Sequence, residues 1–206
     1  MRGLGLGLLL VVLVAGPTAA QTEVYGGLSY NTYSIDWSFW RALRLPGNLA
    51  FHSGPGNFIG VQVRLDERLV VGGQVDFFSG SRQGQGALEG RGAGYLARAA
   101  LRLPGPEGFV VQPFAAVGLY NFSLELASSA GTYRLEATPR PGGQMGLAVT
   151  WPVGFGMTLD TTLAYRRVGE FTRGRMVTPD GETSYSVTRG PNLSGFTARI
   201  GLVHTF

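Results

Sequence analysis

Apolar and polar residues alternate one by one along most of the chain. Val24, Gly26, Leu28 and Tyr30 fall on one side of a strand, and Tyr25, Gly27, Ser29 and Asn31 on the other. The same period of two returns at 59–65, 69–78, 95–103, 109–120, 144–151, 157–166 and 196–206. In the last of these runs Phe196, Ala198, Ile200, Leu202, His204 and Phe206 oppose Thr197, Arg199, Gly201, Val203 and Thr205. A β-strand turns successive side chains to opposite faces, so each run predicts a strand with one apolar and one more polar face. Eight such runs leave little sequence for helix.

The connections are unequal. Asp66-Glu67-Arg68, Pro104-Gly105-Pro106-Glu107-Gly108 and Pro152-Val153-Gly154 are tight turns after the second, fourth and sixth strands, whereas the connections after the odd strands are long and polar. Aromatic residues gather at the strand ends: Phe109, Trp151, Phe155 and Phe206 at the turn side, and Tyr30, Phe77, Tyr95, Tyr165 and Phe196 at the loop side. A soluble β-sandwich also alternates. The loop asymmetry, the two aromatic girdles and the terminal Phe206 select instead an all-β, eight-stranded antiparallel up-and-down transmembrane barrel with extended extracellular hairpins. An even strand number puts both termini on the short-turn, periplasmic side. The lumen of such a barrel is just wide enough for side chains to fill. Its polar face carries Arg64, Gln74, Asp76, Arg98, Arg102, Asp160, Arg166 and Arg199. Buried charges cost several kcal/mol each unless paired or hydrated, so Arg–Asp networks bridged by Gln62, Gln74, Gln112, Gln144 and water are expected inside.

The N-terminus agrees about location. A basic start at Met1-Arg2, an apolar run over 8–14, a break at Pro17 and small residues at Thr18-Ala19-Ala20 predict a secretory signal peptide over 1–20, with the barrel at 21–206. The apolar run is shorter than the roughly 20 residues of a spanning helix. The absence of cysteine excludes a disulfide-stapled secreted scaffold. All 17 basic residues are arginine, whose planar guanidinium suits a crowded polar interior, although a compositional bias of the source would give the same skew. A net charge of +4 is too modest to argue for a nucleic-acid partner.

With these features in place, the mature chain resembles the small eight-stranded outer-membrane barrels of the OmpA transmembrane-domain, OmpX and OmpW kind. In general appearance it is similar to the TtoA-like major outer membrane proteins. The resemblance rests on the signal peptide, the eight alternating runs, the loop asymmetry and the last six residues, GLVHTF. It implies the bacterial outer membrane, contact with its lipid, and a terminal Phe206 that serves as the signal for the barrel-assembly machinery. The chain stops short of the periplasmic domain of full-length OmpA, so a cell-wall tether of that type is not expected.

Function is expected in the loops. Phe122, Leu124 and Leu126 lead to Ser128-Ser129-Ala130-Gly131 and return through Tyr133 and Leu135. Phe171, Arg173, Arg175 and Val177 lead to Thr178-Pro179-Asp180-Gly181, with Tyr185 and Val187 beyond. Turn residues between alternating runs predict two hairpins. The first loop adds Trp37, Trp40 and Arg41, suited to lipid contact, capping or a partner. Trp37, Trp40, Arg41, Tyr133, Arg173, Arg175 and Tyr185 are the candidate extracellular contacts, toward an external or envelope protein or polysaccharide. A structural or surface-interaction role is thus expected. A narrow, weakly anion-preferring pore and a lipid-modifying barrel enzyme are the alternatives. For catalysis the chain offers only His52 and His204 as histidines, and no spacing ties His52 and Ser53 to Asp36, Glu89 or Asp180, so no catalytic residue is assigned. Asp180 and Glu182 offer oxygen ligands for calcium, but a turn already explains Asp180, and neither a metal nor a cofactor is expected.

Overall fold

In the computed structural model the alternating runs become one closed wall. The structure describes residues 21–35, 41–43, 51–83, 87–129 and 131–206; Trp37, Trp40 and the signal peptide expected over 1–20 lie outside the described residues. The strands are β1 (Thr22–Ile35), β2 (Phe51–Arg64), β3 (Leu69–Gln83), β4 (Ala87–Leu101), the two-residue β5 (Leu103–Pro104), β6 (Val110–Ser128), β7 (Gly131–Ala137), β8 (Arg140–Gly154), β9 (Met157–Val168), β10 (Arg173–Thr178), β11 (Gly181–Ser186) and β12 (Gly195–Thr205). A single 3₁₀ turn, Pro106–Gly108, joins β5 to β6. Antiparallel pairing runs β1–β2–β3–β4–β6–β8–β9–β12 and closes from β12 back to β1, with Leu28 opposite Ile200 and Gly27 opposite Gly201. Closure leaves these eight strands no free edge within the barrel wall.

Parity decides what faces where. On β12, Thr197, Arg199, Gly201 and Val203 are buried, while Phe196, Ala198, Ile200 and Leu202 are exposed. Around the outside, Leu28, Val117 and Met145 are about two-thirds exposed, and Ile59, Leu119 and Leu163 join them in one apolar belt. A belt of this extent is the surface a bilayer solvates, not one that water tolerates. Aromatic pairs mark its two rims. Tyr165 meets Phe196 edge-on at 5.3 Å, and Phe109 lies 5.8 Å from Trp151 at the opposite end.

Inside, small residues make room for large ones. A Cβ placed on Gly94 would lie 2.5 Å from the Tyr120 ring, and one on Gly60 2.3 Å from the Tyr25 ring. These glycines let two fully buried phenols lie across the lumen. Gly94→Val is therefore expected to overpack the site and cost about 1–3 kcal/mol, read as a lower urea midpoint for unfolding in detergent micelles.

Two connections differ from their sequence reading. Residues 79–94, read as a polar loop, are strand on both sides of the β3–β4 connection, with Ser79 opposite Arg91 and Ser81 opposite Glu89. Serine and charged side chains alternate there with inward Gly80, Leu88 and Gly90, so the segment is a strand whose outer face meets water instead of lipid. Pro152 and Val153 remain in β8; the turn falls later, where Gly154, Phe155 and Gly156 all take positive φ. In the β2–β3 turn, Asp66 Oδ1 accepts the backbone N–H groups of Arg68 and Leu69, both at 2.7 Å. Those two bonds hold its carboxyl below its ordinary pKa. Because the folded value is depressed, this contribution is present above the unfolded pKa and is lost as pH falls through the folded value. The Arg68 and Leu69 amide NMR shifts are expected to titrate with a midpoint below that of a free aspartate, and Asp66→Ala to abolish the titration.

Beyond the belt β6 continues for its full 19 residues, about 60 Å of strand. Its upper half keeps β4 on one side and takes β7 on the other; β7 pairs with β10, and β10 with β11. The result is a raised sheet that ends in β11. Its inner face packs into one apolar cluster with the barrel mouth: Leu88, Phe122, Leu124, Leu126, Leu135, Tyr185, Phe171 and Leu193 are all buried in it.

Candidate functional site

Three polar clusters are stacked in the lumen. At the tight-turn end Glu23 is the hub. Its Oε1 accepts from Arg64 Nη2 at 2.8 Å and from Arg102 Nη1 at 2.9 Å, and its Oε2 accepts from Gln62 Nε2. Gln62 Oε1 accepts in turn from Arg98 Nη1 at 2.9 Å. The Arg98 guanidinium lies 4.5 Å from the Phe114 ring centre and 5.3 Å from that of Tyr25.

At mid-height Asp76 is the hub. Its Oδ2 accepts from Arg199 Nη2 at 2.7 Å and from Gln144 Nε2, and its Oδ1 accepts from Gln74 Nε2 at 2.6 Å. Gln144 also accepts from Arg199 and donates to the Tyr120 hydroxyl. Almost every polar atom here has a partner, which suits a site closed to bulk water.

Near the hairpin end Arg166 is fully buried and has no carboxylate partner among the described residues. Its Nε donates to Leu193 O at 2.6 Å, Nη1 to Asn31 Oδ1 at 3.0 Å, and Nη2 to Thr32 O at 3.1 Å. One guanidinium thereby ties β9, β1 and the segment before β12 together. Phe171 and Leu193, each 0% exposed, pack directly above it in the apolar cluster.

The expected Arg–Asp pairing holds for Asp76 with Arg199 and fails for Asp160, which accepts from Thr162 Oγ1 and makes no ion pair among the described residues. Glu23 accepts three of these bonds, as many as Asp76, and its parity with Tyr25 already placed it inside. Gln112 is buried but joins none of these bonds. Asn31, Tyr120 and Gln144 also act in the network, and only Gln144 was legible as a bridging group.

On the raised sheet, parity separates the candidate contacts. Arg173 and Arg175 stand on the outer face with Glu136 and Glu182. Arg175 bridges to Glu136 at 2.6 Å and to Glu182 at 3.3 Å. The bond from Glu136 and the two carboxylate charges raise the Arg175 pKa. Glu89–Arg91 and Glu125–Arg134 continue the row of charges across β4, β6 and β7. A groove of about 400 Å³ beside it is lined by Pro55, Ser79, Ser81, Glu89 and Arg91. Tyr185 corrects the expectation: it is 7% exposed, faces inward with Leu135, and burial pushes its hydroxyl up to about 12. Tyr133 likewise packs half-buried against that cluster. Their parity with Leu124 and Leu126 takes both off the charged face. Arg41 is exposed in a helical turn at residues 41–42.

At the terminus Phe206 N–H donates to Thr22 O at 2.9 Å, and its ring stands edge-on to His204 at 4.6 Å. The Ser53 hydroxyl is bonded to Tyr30, 2.6 Å away, and His52 is exposed beside it.

A closed eight-stranded antiparallel wall with an apolar belt, aromatic rims and a polar lumen defines the class: this is the fold of the small outer-membrane β-barrels. A major outer membrane protein from Thermus thermophilus is similar with a TM-score of 0.65, over 91% of this chain and 100% of that one, at 13% identity. OprG from Pseudomonas aeruginosa gives 0.58 over 91% and 96% at 12% identity. Ail, the attachment invasion locus protein of Yersinia pestis, gives 0.56 over 91% and 99% at 10% identity. Identities this low show a shared fold. No family model matches the sequence, and no curated protein matches it.

Proposed function

We propose that this protein is a non-enzymatic component of the bacterial outer membrane that holds a raised, charged β-sheet outside the cell on a plugged barrel. Both termini then lie in the periplasm, lipid surrounds the belt, and Phe206 serves the assembly machinery. One observation carries the reading: the mouth beneath the raised sheet is filled by Phe171, Leu193 and the apolar cluster around them, with Arg166 locked underneath. A lumen stopped in this way is a support, and what it supports is the outer face bearing Arg134, Glu136, Arg173, Arg175 and Glu182. Alternating charges on a stiff sheet suit an external protein or a charged polysaccharide. Ail, of the same fold, has been solved with the heparin analogue sucrose octasulfate, which favours the polysaccharide for this chain as well.

The chain has no native cysteine, which makes the test direct. A cysteine at Ser184 should react with a membrane-impermeant maleimide on intact cells, and one at Glu67 only after the outer membrane is opened. Arg173→Gln combined with Arg175→Gln should then lower retention of cells on a sulfated polysaccharide without altering the amount of folded barrel. Equal retention by wild type and variant excludes this face as the contact. The inward surplus of arginine favours a second reading, a narrow anion-preferring pore. Persistent conductance steps of the wild-type protein in planar bilayers would select it.

A further inference from the structure

We infer that the tight-turn end of the lumen is a binding site for a small free oxyanion, held by Arg64, Arg98 and Arg102. The argument begins with charge. Along the described barrel wall six arginines point inward (Arg64, Arg98, Arg102, Arg140, Arg166 and Arg199), against three carboxylates, Glu23, Asp76 and Asp160. Asp76 is committed to Arg199. Asp160 accepts from Thr162 and makes no ion pair among the described residues. Among the described residues Glu23 is the only carboxylate in contact with the lower arginines, and it receives both Arg64 and Arg102 on the same oxygen. Three guanidiniums therefore converge where one carboxylate is paired.

Geometry adds a second, independent sign. Arg98 is 7% exposed, and its Nε has no hydrogen-bond partner among the described residues; the same holds for the Nε of Arg64 at this end and of Arg140 and Arg199 higher in the barrel. A buried N–H of a charged group left unpaired is costly, and native proteins rarely leave one without an acceptor. Arg98 is also held rigidly. Its guanidinium lies over the Phe114 and Tyr25 rings, and Gln62 takes one Nη. Oxyanions match guanidinium edges bidentately, and the partly exposed Arg64 and Arg102 present theirs beside it.

Access is from one side only. The side chains of Arg64 and Arg102 are 27% and 18% exposed at the tight-turn mouth, whereas the opposite mouth is filled by the apolar cluster. The site lies inside the wall and away from the apolar belt, so a free anion fits it and a bilayer headgroup does not. Glu23 acts as a resident competitor that keeps the arginines in place when the anion leaves.

The test uses the mature chain refolded in a non-ionic detergent and titrated calorimetrically with inorganic phosphate, with ionic strength fixed by sodium chloride. Saturable one-to-one binding is expected. Arg98→Gln should weaken it about tenfold or more, the effect of losing one charge-assisted bond. Glu23→Gln should tighten it, because the competing charge is gone; a purely structural Glu23 would not do this. Arg175→Gln on the raised sheet should leave it unchanged. If Arg98→Gln does not fold, Arg102→Gln takes its place. Absence of saturable phosphate heat, wild-type affinity in the arginine variant, or weaker binding by folded Glu23→Gln would each overturn the proposal.

Discussion

Asp76→Ala is expected to lower barrel stability by about 3–5 kcal/mol, because it leaves the Arg199 charge buried without its counter-ion. The two side chains are 6% and 3% exposed, and their atoms meet at 2.7 Å. Arg199 would keep Gln144 Oε1, a neutral acceptor, and the face of Phe58 at 5.2 Å. Neither replaces a carboxylate. Gln74 and Gln144 would lose acceptors at the same time. The loss should appear as a lower urea midpoint with unchanged slope in micelles, and as a folded, heat-modifiable gel band that disappears at lower temperature. The paired variant Asp76→Asn with Arg199→Met should recover most of it. Asparagine still offers Gln74 an acceptor, and methionine fills the space beside Phe58 without a charge to compensate. Recovery in the double variant distinguishes a stranded charge from a general packing defect, which two substitutions would deepen. A single-variant loss below about 1 kcal/mol would mean that water already solvates Arg199.

The wall was legible in the sequence because period two is a direct consequence of strand geometry, and β12 shows it without a break from Phe196 to Phe206. The inward set was legible for the same reason: parity alone places Arg64, Asp76, Arg98 and Arg199 inside. Parity does not say which inward residues meet. That depends on strand stagger around the ring, which brings Glu23 of β1 to Arg102 at the end of β4, 79 positions away. The expected Arg–Asp networks leave out Asp160, which makes no ion pair among the described residues. The raised sheet was harder. Tyr133 and Tyr185 sit in polar surroundings along the chain, yet their parity with Leu126 and Leu135 turns them into the mouth. Leu193 belongs to no alternating run, and Phe171 shares the parity of outward Arg173 and Arg175, so no periodic signal marked the plug.

The plug makes the second large prediction. Arg166→Met should convert a silent barrel into one with discrete openings. The guanidinium is the polar anchor of the segment before β12: it holds Leu193 O to Asn31 and Thr32 across the lumen. Bonds from a charged donor contribute about 1.5–3 kcal/mol each; one of the three holds the connection at Leu193, and the other two fix the guanidinium to β1. Burying the guanidinium itself costs several kcal/mol, so removing it leaves global stability much less altered than the local tie. Methionine keeps the contact with Phe78 but cannot donate to Leu193. The expected first sign is faster amide exchange at Phe171, whose N–H donates to Pro191 O at 3.1 Å, with exchange in β1 and β12 unchanged. Brief conductance steps absent from the wild type should follow in planar bilayers, because Phe171 and Leu193 still pack the mouth between openings. Adding Phe171→Ala removes a ring 5.6 Å from Phe122 and should make the openings persistent. If the double variant stays silent while Phe171 exchanges freely, the polar clusters below are themselves the barrier. The closure would then lie with Asp76 and Glu23, not with the plug.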